Sequence, residues 1–410
     1  MTGRDPSQDI AITGMGAVSA LGVDAPSLWK GLREGHDGIA PLRHPRAAEL
    51  RVRIAAQVPE TFDPSSRIAE RMLPLLDRTA LLAVAAAGEA IAQSGLDFSD
   101  AALGARTGVV VGTGVGGQNT QDEQYHRLYA ENAARLHPLT IVRLMINAPA
   151  SQISMAHGLR GPAFAVASAC ASSNHAIAQA ALLIRSGQAD VVLAGGADAC
   201  LTFGTLRAWE AMRVLAGEAC RPFSANRQGL VLGEGAGMFV LESLAHARAR
   251  GAAVLGVLAG VGMSADAGDI VAPDPSGSAA AMGLALADAG LAPDDIDYIN
   301  AHGTGTLAND AAETRAIHRV FGAHADKLAV SSTKSMHGHA LGASGALELV
   351  AVLGALHDGV VPPTLNLDTP DPECDLDYVP NRPRAMRVRA ALSNSFAFGG
   401  LNAVLAIRAA

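Results

Sequence analysis

Aromatic residues are scarce in this 410-residue chain, at 4%, and so is charge, at 17% Asp, Glu, Lys and Arg. A core closed without rings must rely on Ala, Val and Leu; with 49% hydrophobic residues the chain can build one, and disorder is excluded. Positive charge is lacking too. A net charge of -8 argues against a nucleic-acid partner, since phosphate binding needs a basic field, and leaves an acidic partner only a local basic patch. Cysteine is limited to Cys170, Cys200, Cys220 and Cys374, with no CxxC pair, so neither a zinc site nor a disulfide frame is indicated. No uncharged apolar run reaches the roughly 20 residues of a spanning helix. The nearest, 251–265, is glycine-rich, and the opening MTGRDPSQDIAITGMG is charged where a secretory signal would be apolar. The expectation is a cytoplasmic protein with no membrane segment.

What is abundant is glycine, 44 residues, among alternating strand-like and Ala/Leu helical runs. Strands are expected at Ile10 to Thr13, Gly108 to Val111, Ala163 to Ala167, Val191 to Ala194, Met238 to Leu241, Tyr298 to Asn300, Leu328 to Ser331 and Ala403 to Ile407, which makes the fold α/β with buried sheets. Two strands run into Thr-Gly turns, VVVGTGVG and YINAHGTG. Each is followed by a further strand and a long helix, expected over Ala171 to Arg185 and over Leu341 to His357, with glycine just beyond. The order therefore repeats, with a seam near Gly251 to Gly262 and expected halves 1–255 and 256–410. Residues 119–150 break the pattern and read as a helical cap.

Three short stretches carry chemistry. Cys170 in ASACA stands between a strand and a helix, where the helix dipole and free N–H groups favour thiolate and where backbone amides can form an oxyanion hole. His302 in HGTGT and His339 in HGHALGASG stand at strand ends, where open α/β sheets place ligands. A thiol can hold an acyl group as a thioester, and two imidazoles can donate to an enolate or move a proton. Thr304 and Thr306 can hydrogen-bond a phosphopantetheine arm. Lys334 and Glu348 flank the second histidine, either as a solvated pair or as a buried brace. His337 and His339 lack a carboxylate or thiolate at ligand spacing, so no metal is expected, and GTGVGG misses the G-x-G-x-x-G register of a dinucleotide site.

Taken together, ITGMGAVSALG, GTGVGG, the Cys170 elbow, AGGADA, RPFSANRQGLVLGEGAG, HGTGT, KSMHGHALGASG and NSFAFGGLN resemble a β-ketoacyl-acyl-carrier-protein synthase of the elongating type, in the thiolase-like superfamily. Residues 171–214 are closer to synthases of nodulation-signal and polyene-type acyl chains than to the housekeeping enzyme. The resemblance implies two duplicated α/β halves in a five-layered αβαβα body and a decarboxylative Claisen condensation in fatty-acid or polyketide synthesis. It implies an acyl group on Cys170 with its thioester oxygen held by the amides of Cys170 and Phe398. Decarboxylation of malonyl-carrier protein falls to His302 and His339, with Lys334 and Glu348 as a supporting ion pair. Val115, Phe203 and Phe396 are implied to line the acyl site, and Phe398 to gate it. Ala397 departs from the glycine usual between the two phenylalanines, and its Cβ should restrict φ there. Both acyl groups arrive on acyl carrier protein, so no further cofactor is implied. Arg67 and Arg71, four apart on an expected helix, and Arg207 match docking positions, with a solvated helix face as the other reading. A dimer is implied, of like chains or with a chain-length factor. Two rivals are a non-catalytic chain-length partner, which usually lacks the cysteine, and a degradative thiolase, which uses a second cysteine that NSFAFGGLN does not supply.

Overall fold

The computed structural model describes residues 8–410; residues 1–7, part of the opening read for a secretory signal, lie outside it. Its main sheet has ten strands: β1 (Ile10–Val18), β2 (Thr107–Gly112), β3 (Ala163–Val166), β4 (Val191–Ala199), β5 (Glu234–Ser243), β6 (Gly256–Ala265), β7 (Tyr298–Asn300), β8 (Ala329–Ser331), β9 (Ala390–Ala397) and β10 (Leu401–Arg408). Their spatial order is β8-β7-β9-β10-β6-β1-β5-β4-β2-β3. Counted within each half, both sets of five run third, second, fourth, fifth, first. The pairings match as well: the second strand is parallel to the third and fourth, and the fifth is antiparallel to the fourth and first. The expected duplication is therefore present strand for strand.

Among its helices, those that build the layers and the site are α1 (Arg78–Ser94), α2 (Gln118–Tyr129), α3 (Ala148–His157), α4 (Ser172–Arg185), α5 (Phe203–Met212), α6 (Pro275–Ala289), α7 (Leu307–Phe321) and α8 (Ser344–Asp358). Helices α4 and α8 form a shared middle layer, α1 and α3 cover the outer face of the first half, and α6 and α7 cover that of the second. The half-sheets join where β1 meets β6, over Ile10 to Ile12 alone. Poverty in aromatics and wealth in glycine are two sides of one packing solution. A Cβ at Gly14 or Gly16 on β1 would fall 2.1 Å from the carbonyl oxygens of Ala90 or Ala86 on α1. On β6, a Cβ at Gly262 would fall 2.0 Å from the carbonyl oxygen of Ala281 on α6. Only glycine permits this approach between strand and helix.

The sequence reading missed β6 and β9. Most of β6 and all of β9 are buried, so neither shows the polar alternation of a half-exposed strand, and β6 was taken for seam. The helices after β3 and β8 end as expected: Gly187 and Gly359 adopt φ of 71° and 64°. The stretch Leu341–Asp358 is long and apolar enough to cross a membrane, yet 83% of it is buried inside the protein as the middle layer. Residues 119–150 hold most of α2, a short helix Thr140–Leu144 and the start of α3, with Tyr129, Ile141 and Val142 more than half exposed.

Candidate active site

Cys170 and His339 occupy related turns of the two halves. Before α4 the chain makes a 3-10 turn, Ala169–Ala171, and before α8 it makes another, Leu341–Ala343. Each opens on a non-glycine residue in the left-handed region, Ala169 at φ 48° and Leu341 at φ 46°, strain of the kind that collects at functional sites. Cys170 lies inside the first turn; His339 stands just before the second. His302 follows β7. These three distant segments converge: His339 Nε2 is 3.1 Å from Cys170 Sγ, and one ligand-type atom from each of the three residues falls within 4.8 Å of the others. The imidazole rings are 5.5 Å apart and nearly perpendicular.

The surroundings fix both tautomers. The Leu341 amide donates to His339 Nδ1 at 3.1 Å, and Ser344 Oγ lies 2.8 Å from the same atom. Since Nδ1 accepts, the neutral ring carries its proton on Nε2, facing the sulfur. Lys334 Nζ lies 3.3 Å from His302 Nδ1 and donates to the His302 carbonyl at 2.6 Å and to Glu348, so His302 also presents an Nε2–H. Burial, reinforced by the Lys334 charge, holds both imidazoles well below their ordinary pKa and thus neutral. Lys334 and Glu348 are a fully buried pair, the brace rather than the solvated alternative. Burial raises the Glu348 carboxyl, opposed by Lys334. A metal ligand would need Nε2 lone pairs on both rings. The donors at Nδ1 set the opposite tautomer, which suits hydrogen-bond donation to an oxyanion.

Cys170 corrects one expectation. Its sulfur is buried, and desolvation pushes the thiol up to about 11, against the pull of Lys334 and of the backbone N–H groups of Phe398 and of Cys170 itself. The helix approach does not hold a resting thiolate here, because loss of water outweighs it. The same two N–H groups, of Phe398 and Cys170, act on the sulfur from the backbone.

A cavity of about 690 Å³, mouth included, opens over this triad. Thr304, Thr306, Phe396 and Phe398 line it as expected, the two threonine hydroxyls being 2.9 Å apart. Phe396 packs 6.2 Å from the His302 ring. The cavity reaches neither Val115 nor Phe203. Val115 is 37% exposed, and Phe203 turns away to lie under the Arg46 guanidinium, 3.5 Å from its ring centre. Beside Phe396 and Phe398, a third aromatic lines it: Trp209 on α5, stacked on Phe398 at 6.0 Å; as one of two tryptophans in the chain it was a visible candidate. Ala397 sits in extended strand backbone, and the left-handed turn falls on Gly399 and Gly400, so its methyl group adds no strain. Arg67 and Arg71 do not share an α-helix: Arg67 caps the end of the 3-10 turn Pro64–Ser66, and Arg71 lies in the next, Glu70–Leu75, which contains Pro74. Arg67 is partly tied to Glu89 and Asp24, Arg71 is exposed, and Arg207 pairs with Glu210 at 3.3 Å.

Two buried carboxyls escaped the sequence reading. Glu313 on α7 accepts the amides of His302 and Gly303 at 2.9 and 2.8 Å, and burial pushes it up to about 7. Asp198, near the end of β4, accepts from Thr113 and from the amides of Gly114 and Gly342. An acid inside VVLAGGADA, and another eleven residues after His302, were the available signals.

Comparison with known proteins agrees with this geometry. The β-ketoacyl synthase N-terminal domain family matches residues 7–247, and the C-terminal domain family matches residues 255–368. Nodulation protein E of Rhizobium meliloti is 52% identical over 97% of this chain and 98% of its own length. 3-Oxoacyl-[acyl-carrier-protein] synthase 2 of Synechocystis sp. is 40% identical, covering 97% of each. Among solved structures, the ishigamide ketosynthase/chain length factor superposes with a TM-score of 0.94 at 36% identity, covering 98% of this chain and 99% of that one. A type II PKS acyl-carrier protein in complex with its ketosynthase, bound to the hexaketide, gives 0.89 at 30% identity, with 98% and 99% covered. The motifs, the duplicated five-layered fold and these matches along nearly the whole chain all lead to one assignment: this protein belongs to the β-ketoacyl synthase family, with a thiolase-like fold.

Proposed function

We propose that the protein is a 3-oxoacyl-[acyl-carrier-protein] synthase whose catalytic groups are Cys170, His302 and His339. The observation that carries this is the sulfur 3.1 Å from His339 Nε2, with two Nε2–H donors facing one cavity. In the first half-reaction Cys170 Sγ attacks an acyl thioester on carrier protein. The developing oxyanion takes hydrogen bonds from the amides of Cys170 and Phe398. The thiol proton ends on the departing phosphopantetheine sulfur, so no separate base is consumed. In the second, malonyl-carrier protein places its thioester oxygen against both Nε2–H groups. Loss of carbon dioxide leaves an enolate held by those donors, and its carbon attacks the acyl-cysteine. Cys170 is expelled as thiolate and takes up one proton, which its high pKa in this dry setting favours. Lys334 and Glu348 position His302; they do not touch substrate.

Thr304, Thr306 and Phe396 are assigned to the phosphopantetheine and acyl groups, and Phe398 with Trp209 to the entrance. No metal enters any step. The partner is an acyl carrier protein, with Arg71, which is exposed and has no ion pair among the described residues, assigned to its docking face together with Arg67 and Arg207. Similarity to nodulation protein E and to the ishigamide ketosynthase favours a specialised unsaturated or polyene acyl product, and a dimer of like chains or with a chain-length factor. The halves divide at 255/256, and carrier-borne substrates place the enzyme in the cytoplasm. The test offers purified enzyme mixed acyl-carrier proteins and malonyl-carrier protein. Mass spectrometry should find acyl groups on Cys170 and a 3-oxoacyl product two carbons longer. Acyl groups on carrier protein alone, with no adduct at Cys170, would remove the assignment.

A further inference from the structure

We infer that Asp198 is a positioning residue that sets the orientation and tautomer of His339, although it touches neither the histidine nor the substrate. The inference rests on the donor role proposed above for His339. Asp198 is wholly buried near the end of β4, in the half of the chain that carries Cys170. Its Oδ1 accepts the Thr113 hydroxyl at 2.7 Å, and its Oδ2 accepts the Gly114 amide at 2.7 Å and the Gly342 amide at 2.6 Å. One carboxylate thus ties the turn after β2 to the turn before α8, which belongs to the other half. Burial raises its pKa to about 6, so at neutral pH it remains an ionised acceptor.

The link to chemistry runs through one residue. Gly342 follows Leu341, whose φ of 46° is held against its own preference and whose amide supplies the hydrogen bond to His339 Nδ1. If Gly342 is released, Leu341 can relax, and its amide, the fixed donor at His339 Nδ1 where the Ser344 hydroxyl can either donate or accept, moves away. The turn is pinned from its other side as well, where Ser173 Oγ on α4 donates to the Gly342 carbonyl. No side chain fits in this junction: a Cβ at Gly342 would lie 2.4 Å from the Gly114 nitrogen and 2.6 Å from Asp198 Oδ2. The titratable groups near the carboxylate are the thiols of Cys170 and Cys200, both of which its charge pushes towards the protonated form.

Two variants separate positioning from mere support. Asp198→Ala removes every acceptor and should lower kcat for malonyl-carrier-protein decarboxylation about 10- to 100-fold, with KM and acyl transfer to Cys170 little changed. Asp198→Asn keeps an oxygen for the amides of Gly114 and Gly342 and puts its NH2 beside Thr113, whose hydroxyl can turn to accept, so it should restore kcat to within about threefold. Nitrogen-15 spectra of histidine-labelled enzyme should report His339 Nδ1 as an acceptor in the wild type and Asp198→Asn and not in Asp198→Ala. A wild-type kcat in Asp198→Ala overturns the inference, as does loss of activity in a folded Asp198→Asn. Should Asp198→Ala not fold, Asp198→Asn decides alone, with retained activity and tautomer supporting the inference and their loss overturning it. A wild-type enzyme that released no carbon dioxide would instead remove the reaction proposed for the site.

Discussion

In the N-terminal half, the turn after β3 carries Cys170 at its centre; in the C-terminal half, the corresponding turn before α8 carries Gly342, and the functional side chain, His339, stands a few residues earlier. One half supplies the thiol and the other supplies both imidazoles. Each half also reaches across with the end of its fourth strand. Asp198 at the end of β4 holds Gly342, and Phe398 just beyond β9 aims its amide at Cys170. Duplication has produced two similar elbows in contact with each other, each opening one helix of the shared middle layer, and divergence has given them different side chains. The site exists only where the halves meet.

That division of labour can be broken by substitution. Cys170→Ala should abolish acyl transfer and condensation, by more than about 10³-fold, while leaving the fold intact, because a small apolar residue fills the elbow. Intact mass after incubation with acyl-carrier protein checks it, and an acylated variant would show that the N-terminal half does not hold the nucleophile. His302→Ala and His339→Ala should reverse the pattern. Acyl transfer should persist and carbon dioxide release should fall about 10²- to 10³-fold, the cost of losing an oxyanion donor. Equal loss of both half-reactions would erase the proposed separation.

Much of the comparison was legible in the residues. Glycine-flanked turns at strand ends gave away Cys170, His302 and His339, and two strand-turn-strand-helix runs gave away the duplication. What was hidden lay in buried surroundings. β6 and β9 carry no alternation, because protein covers most of β6 and all of β9. Asp198 and Glu313 looked like incidental acids, because the Gly114 and Gly342 amides are remote from Asp198 in sequence, and Glu313 takes amides 11 and 10 residues earlier, in the turn ahead of its own helix. The family resemblance assigns Phe203 to the acyl site, yet Arg46, more than 150 residues earlier, holds it outside the cavity. Trp209, six residues on, takes the place assigned to it.

A smaller effect sharpens the contrast from the side of pH. His337, buried beside the Lys334 charge, is pushed down to about 3 from an ordinary 6.5. The unfolded chain therefore takes up a proton as pH falls below 6.5 while the folded chain does not until about 3. This residue removes stability over that window, at up to about 1.4 kcal/mol per pH unit. His337→Gln should lose less stability between about pH 6.5 and about pH 5 in denaturant titrations, and an unchanged acid dependence would show that the imidazole is not held neutral. The smallest effect belongs to the surface. Arg71→Glu should raise KM for carrier protein several-fold, and Arg67→Glu less, because Arg67 is already engaged with Glu89 and Asp24. The opposite ranking would move the docking face.

The narrow join between β1 and β6 bears on how such proteins can be rebuilt. A crossover placed just before Gly256 would take the thiol from one parent and the imidazoles from another, without cutting a strand or a helix. Chimeras made there should fold when the α4 and α8 surfaces match, and turn over only when the acid of one parent meets a glycine turn of the right shape in the other. Hybrid libraries of this kind would measure how far two lineages have drifted apart at a boundary that neither can give up.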